Sequence, residues 1–133
     1  MPWSLDARIP IVIVADPAAL DAALDAAKAG GRPAAVLLGP KAPASSQPDG
    51  MPPGAVALAR FDLSGPTHAA ACACCAGRGP AAAALDTLFQ ARIRNTCPWF
   101  ERVVALAETP AARTEIEAAL AGDAVTVARF RAG

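Results

Sequence analysis

Ile9-Pro10-Ile11-Val12-Ile13-Val14-Ala15-Asp16-Pro17 is the stretch from which the fold can be read. Its β-branched run carries no polar residue until Asp16, which is the pattern of a strand buried on both faces of a parallel sheet. Asp16-Pro17 then opens a helix: an aspartate at the N-cap satisfies an orphan amide, and a proline at the first helical position already has a helical φ. Leu20, Ala23, Leu24 and Ala27 form the apolar stripe of that helix. Asp21, Asp25 and Lys28 fall on the other face, and Gly30-Gly31 supplies the stop.

Working outward, a second short strand fits Ala34 to Leu38. Between Gly39 and Gly54 the chain carries five prolines, three glycines and two serines, which predicts a flexible Pro/Gly/Ser-rich loop outside the core. A third strand fits Ala55 to Phe61, and Asp62-Leu63-Ser64-Gly65-Pro66 turns the chain. The spacing of Ala81, Ala84, Leu85, Leu88 and Phe89 predicts a helix from Ala81 to Arg94, broken by Cys97-Pro98. Phe100 to Ala107 reads as a fourth strand, Ala111 to Ala121 as a helix ending at Gly122, and Asp123 to Phe130 as a last strand. Strands alternating with helices predict one α/β domain over residues 1–133. It should be three-layered and Rossmann-like, a mostly parallel sheet of about five strands with helices on both faces.

Composition narrows the function. At 133 residues the chain suits one compact domain, with a core of Val, Ile, Leu and Ala because only 5% of residues are aromatic and none is tyrosine. Twelve basic and twelve acidic residues cancel, and no Lys/Arg stripe appears; Arg92, Arg94 and Arg102 read as solvated or snorkelling side chains, so no nucleic-acid partner is expected. The Ile9–Ala15 run is too short for a membrane span and unlike a secretory signal, which predicts a cytoplasmic protein without a membrane partner.

Three of the four cysteines lie within four residues, in Ala71-Cys72-Ala73-Cys74-Cys75-Ala76-Gly77. Thiolates are soft ligands that favour zinc, copper(I) and similar ions. Sulfurs about 2.3 Å from one tetrahedral zinc sit roughly 3.8 Å apart, whereas residues two apart in a strand are roughly 6.6 Å apart along the chain, so a shared ion requires a curled loop. Gly77 and Gly79 would give that loop backbone freedom. A Cys74–Cys75 bridge would be strained, since adjacent Cα atoms are about 3.8 Å apart and disulfides span roughly 4.4 to 6.8 Å. A Cys72–Cys75 bridge, redox-active thiols and unliganded packing remain open as alternatives. In a reducing compartment closely spaced cysteines are more often metal-binding or catalytic than bridged.

The order of elements together with Cys72-Ala73-Cys74-Cys75 resembles the CobW family of P-loop GTPases, metal chaperones with a G-C-x-C-C loop. Here Ala71 replaces the leading glycine. The likeness continues through Leu85 to Arg94, Phe100-Glu101-Arg102-Val103-Val104, Glu115 to Leu120 and Ala124 to Ala128, spanning roughly residues 70 to 130. The first half matches only in strand and helix order. In place of G-x-x-x-x-G-K-[ST], whose amides cradle phosphates, the chain has Ala15-Asp16-Pro17-Ala18-Ala19-Leu20, and Lys28 lies too far along the helix to serve. The family's Glu-Thr-[Ser/Thr]-Gly is missing or displaced, Leu106-Ala107-Glu108-Thr109 standing there, and the chain reaches Gly133 before an Asn-Lys-x-Asp loop. The expectation is a degenerate CobW-like domain that lacks the P-loop, binds no nucleotide and has no GTPase activity.

What the resemblance implies is a site holding zinc or another thiophilic transition metal through Cys72, Cys74 and Cys75. His68, four residues upstream, is the candidate fourth ligand, with water or a second chain as alternatives. Cys97 reads as packing. A second expectation is an interaction module without a metal role, a homo-oligomer or a partner of a related intact GTPase, for which Trp3, Trp99 or Phe130 would supply apolar contact. A third is a thiol-redox protein with Arg78 beside a lowered thiolate, although no C-x-x-C stands at a helix start.

Overall fold

A computed structural model describes residues 7–43, 45–47, 50–63 and 79–133. The elements are β1 (Ile9–Val14), α1 (Pro17–Ala29), β2 (Ala34–Leu38), β3 (Ala55–Arg60), α2 (Pro80–Ile93), β4 (Arg102–Leu106), α3 (Pro110–Gly122), α4 (Ala124–Arg129) and β5 (Phe130–Ala132). The five strands form one sheet in the order β3-β2-β4-β1-β5, and every pair is parallel. Pro10 fits inside β1 because Ile11 turns its backbone towards β5, its carbonyl accepting from Gly133 N–H at 2.8 Å. The missing Pro10 N–H therefore faces β4, where pairing starts only at Ile11 opposite Val103, so no ladder bond is lost.

Strand alternation divides the core into two layers. On one face α1 lays Leu20, Leu24 and Ala27 over Ala34, Val36 and Leu38 of β2 and Val104 and Leu106 of β4. On the other, Ile9, Ile11, Leu37 and Val103 meet Leu85 and Leu88 of α2, Ile116 of α3, Phe100 and Phe130. This is the three-layer, Rossmann-like α/β arrangement. β2 is buried along its whole length, because both neighbours and both helical layers cover it. Each fully buried Leu or Ile contributes about 1.5–3 kcal/mol relative to exposure, so these two layers dominate stability.

The start and stop of α1 are as expected. The Asp16 carboxylate accepts from Ala19 N–H at 2.7 Å. At the other end Gly31 adopts φ 68°, a left-handed conformation that only glycine takes cheaply, and this lets Arg32 N–H reach the Ala27 carbonyl at 2.8 Å.

The C-terminal segment departs from expectation. Asp123 to Phe130 reads as a strand, yet Ala124–Arg129 is helical and only Phe130–Ala132 pairs, with β1. Two causes can be named. Asp123 Oδ2 accepts from Thr126 N–H at 2.9 Å and from Thr126 Oγ1 at 2.8 Å, a local cap that the Val-Thr-Val alternation hides. Thr126 is the buried position of the helix, while Arg129 pairs with Asp86 of α2 and lies over the Phe89 ring at 4.2 Å. Docking on α2 overrides the strand propensity of Val125 and Val127.

Candidate site at the carboxyl edge of the sheet

Parallel strands deliver every strand-to-helix turn to one edge. Here that edge collects Ala15-Asp16 after β1, Gly39 after β2, Phe61–Leu63 after β3 and Ala107–Thr109 after β4. From β1 the chain crosses by α1 to β2 on one face, and from the adjacent β4 it crosses by α3 to β5 on the other. The turns after β1 and β4 thus diverge at a topological switch point, the place where open α/β sheets keep ligands.

Three helices begin at this edge, and a protein oxygen serves the N-terminal amides of each. Asp16 caps α1. Thr109 Oγ1 accepts from Ala112 N–H at 3.1 Å at the start of α3. For α2 the N-cap is Gly79, which has no side chain to give, and Glu115 of α3 reaches across, its Oε2 accepting from Ala81 N–H at 3.2 Å. A Cβ on Gly79 would run into that carboxylate, which would have to swing off Ala81 to make room. At two of the three helix starts a carboxylate already complements the helix dipole, Asp16 where a phosphate-binding loop would place phosphate and Glu115 at α2.

Beside the switch point a polar network ties the long β2–β3 loop to the sheet. Both Glu108 carboxylate oxygens accept from Ser45 Oγ, at 2.8 and 2.7 Å, and Oε2 also accepts from Gln47 Nε2 at 3.0 Å. Gln47 Nε2 further donates to the Gly39 carbonyl at 3.2 Å, and Arg60 donates to Gln47 Oε1 at 3.3 Å. Gln47 is only 5% exposed, so this part of the loop packs onto the edge rather than away from it. Gly39 is hemmed in by Leu106 O, Phe61 and Ala112, each 3.0–3.3 Å from where a Cβ would stand.

Cys72, Cys74, Cys75 and His68, with Arg78, lie outside the described residues, as does Trp3. Their segment joins Leu63, after β3, to Gly79, at the start of α2. Cys97 is a free, partly buried thiol packed against the larger core. Among the described residues no group of three or more His, Cys, Asp and Glu side chains could hold a metal ion. No described helix is long and apolar enough to cross a membrane.

At the opposite edge Trp99 is 54% exposed, with the Arg92 guanidinium 3.5 Å from its ring centroid. Arg92 also donates to the Phe100 carbonyl at 2.8 Å. Burial lowers the Arg92 pKa from its ordinary value, Glu101 and Cys97 acting in the opposite sense. Phe130, by contrast, is 1% exposed. Sequence reasoning did not single out Glu108 and Glu115; each acts on residues far away in the chain, and no local pattern marks such a partner.

Fold and edge together define a parallel, Rossmann-like α/β arrangement with a topological switch point between β1 and β4. Comparison with protein-family models, with curated proteins and with solved structures finds no match.

Proposed function

We propose that this chain is a non-hydrolysing, CobW-like α/β domain that binds a thiophilic transition metal, zinc being the first to test, through Cys72, Cys74 and Cys75 with His68 as the further donor. One observation carries the reading: the three clustered cysteines stand in the crossover between β3 and α2, whose two described ends lie on the carboxyl edge where this class of sheet keeps its ligands. Three thiolates and an imidazole are a donor set that suits zinc. The carboxylates of Asp16 and Glu115 at the starts of α1 and α2 support the absence of nucleotide chemistry, since phosphate brought there would meet negative charge.

Two core layers are available without the metal, so the ion is an exchangeable ligand rather than a staple. Structural zinc in small fingers contributes roughly 10–16 kcal/mol, against about 5–15 kcal/mol for the whole stability of an ordinary domain. Elemental analysis of the chain purified under reducing conditions should find about one bound ion per chain, the stoichiometry expected of one site filled by these donors. Replacing Cys72, Cys74 and Cys75 together by serine should abolish that uptake, and unchanged uptake would refute the assignment.

A second reading, an interaction module pairing with itself or a related GTPase, is favoured by the exposure of Trp99, held against Arg92. Tryptophan and arginine are the residues that most often dominate protein interfaces. Sedimentation velocity decides it: association that rises with concentration and is lost in Trp99→Ala supports the module, whereas a monomer at every concentration refutes self-pairing.

A further inference from the structure

The start of α2 is fixed from another helix. Its N-cap, Gly79, makes no side-chain cap bond, and Oε2 of Glu115 in α3 accepts from Ala81 N–H at 3.2 Å. The same carboxylate fills the space that a Cβ on Gly79 would take. Ala81 is the second residue of α2, where a helix offers its amide no acceptor of its own. Glu115 is held firmly in turn. Thr109 caps the start of α3 beside the switch point, and Ala112 and Ile116 of α3 are fully buried, as is Ala81.

This contact sits on the shorter tether of the cysteine segment. Gly79 stands four residues after Cys75, and a chain spans at most about 3.6 Å per residue, so covalent geometry keeps the two Cα atoms within about 14 Å. Leu63, at the other end, is nine residues before Cys72 and allows about 32 Å. The start of α2 therefore limits where Cys74 and Cys75 can stand far more tightly than β3 does. Backbone released from the first turn of α2 would have to be ordered again when an ion draws the thiolates together, at a cost in conformational entropy.

We infer that Glu115 is a positioning residue for the metal: the chain with α2 capped binds the ion more tightly than the chain with α2 uncapped. The inference rests on the metal reading above. Such coupling is reciprocal, so the factor that the cap lends to affinity is the factor by which the ion holds the Ala81 amide closed.

The test measures zinc affinity of the full chain by competition with a chromophoric chelator under reducing conditions, and amide exchange at Ala81 by NMR with and without zinc. Glu115→Ala should weaken zinc about fivefold or more, the lower end of ordinary coupling between sites. Zinc should slow Ala81 exchange in the parent by the same factor. Glu115→Gln keeps an oxygen that can accept from Ala81 and should restore most of the affinity. Asp123→Ala, which removes the α4 cap beyond the far end of α3, should lose stability yet bind zinc as the parent does, and this separates positioning from general loosening. Circular dichroism checks that each variant is folded. A parent chain that takes up no zinc overturns the metal reading and this inference together. Equal affinity in the parent and Glu115→Ala, a glutamine variant as weak as the alanine one, Asp123→Ala weakened as much as Glu115→Ala, or Ala81 exchange indifferent to zinc would overturn this inference alone.

Discussion

Glu115→Ala should destabilise the protein by detaching a cap that α2 does not carry itself. Ala81 is fully buried, and its N–H is the donor to Glu115 Oε2. Removing the acceptor strands a buried amide, a loss of about 1–3 kcal/mol, and withdraws a carboxylate from the helix N-terminus, about 0.3–1 kcal/mol more. We take about 2 kcal/mol for the sum, since water can partly replace the carboxylate at this part-buried site. With an unfolding entropy of about 2.1 cal/mol/K per residue over 133 residues, that lowers Tm by about 7 °C. Urea unfolding followed by circular dichroism should show a lower midpoint with an unchanged slope. The stricter check is a double-mutant cycle with Gly79→Ala. The φ of −71° at Gly79 is open to alanine, so in the native background Gly79→Ala acts by pushing the Glu115 carboxylate off Ala81. In the Glu115→Ala background nothing is left to push, and its cost should fall by more than about 0.5 kcal/mol. Costs that simply add would refute the capping argument.

Other outcomes follow from the same structure. Glu108→Ala takes the acceptor from the Ser45 hydroxyl and one of the two acceptors from the buried Gln47 amide, and should cost about 1–3 kcal/mol; limited proteolysis should cut the 39–54 loop faster than in the parent. Asp123→Ala removes the α4 cap and should cost about 1 kcal/mol, with amide exchange accelerated at Thr126 and Val127 ahead of the rest of the chain. Chelator treatment should leave cooperative thermal unfolding in place, and a non-cooperative melt after chelation would show instead that the metal staples the domain. Trp99→Ala removes an exposed ring and its stack on Arg92, and should change stability by less than about 1 kcal/mol as read from the urea midpoint.

Where local chemistry sufficed, the strands and helices were legible in the residues. Ile9–Val14 was legible as a strand, although only Ile9 and Ile11 are buried and the rest is half-buried rather than covered on both faces; Asp16-Pro17 began a helix and Gly30-Gly31 ended it, because each rests on sterics or on a hydrogen bond within a few residues. β2, β3 and β4 fell within a residue or two of expectation for the same reason. The C-terminal segment did not: Val125-Thr126-Val127 alternates as a strand does, and the Asp123 cap together with docking on α2 and α3 selects the helix. The candidate metal ligands Cys72, Cys74, Cys75 and His68 rest on their spacing in the sequence alone.

The amino-acid pattern by itself determined that this is an alternating α/β chain with a thiol cluster between the third strand and the second helix. Tertiary structure alone decided the strand order, the switch point between β1 and β4, the Glu115 cap on α2 and the Glu108 anchor for the long loop. All four join residues far apart in the chain, and periodicity carries information only about neighbours along it. Which distant side chain completes a helix end or a network is settled when the layers pack and each buried donor must find an acceptor.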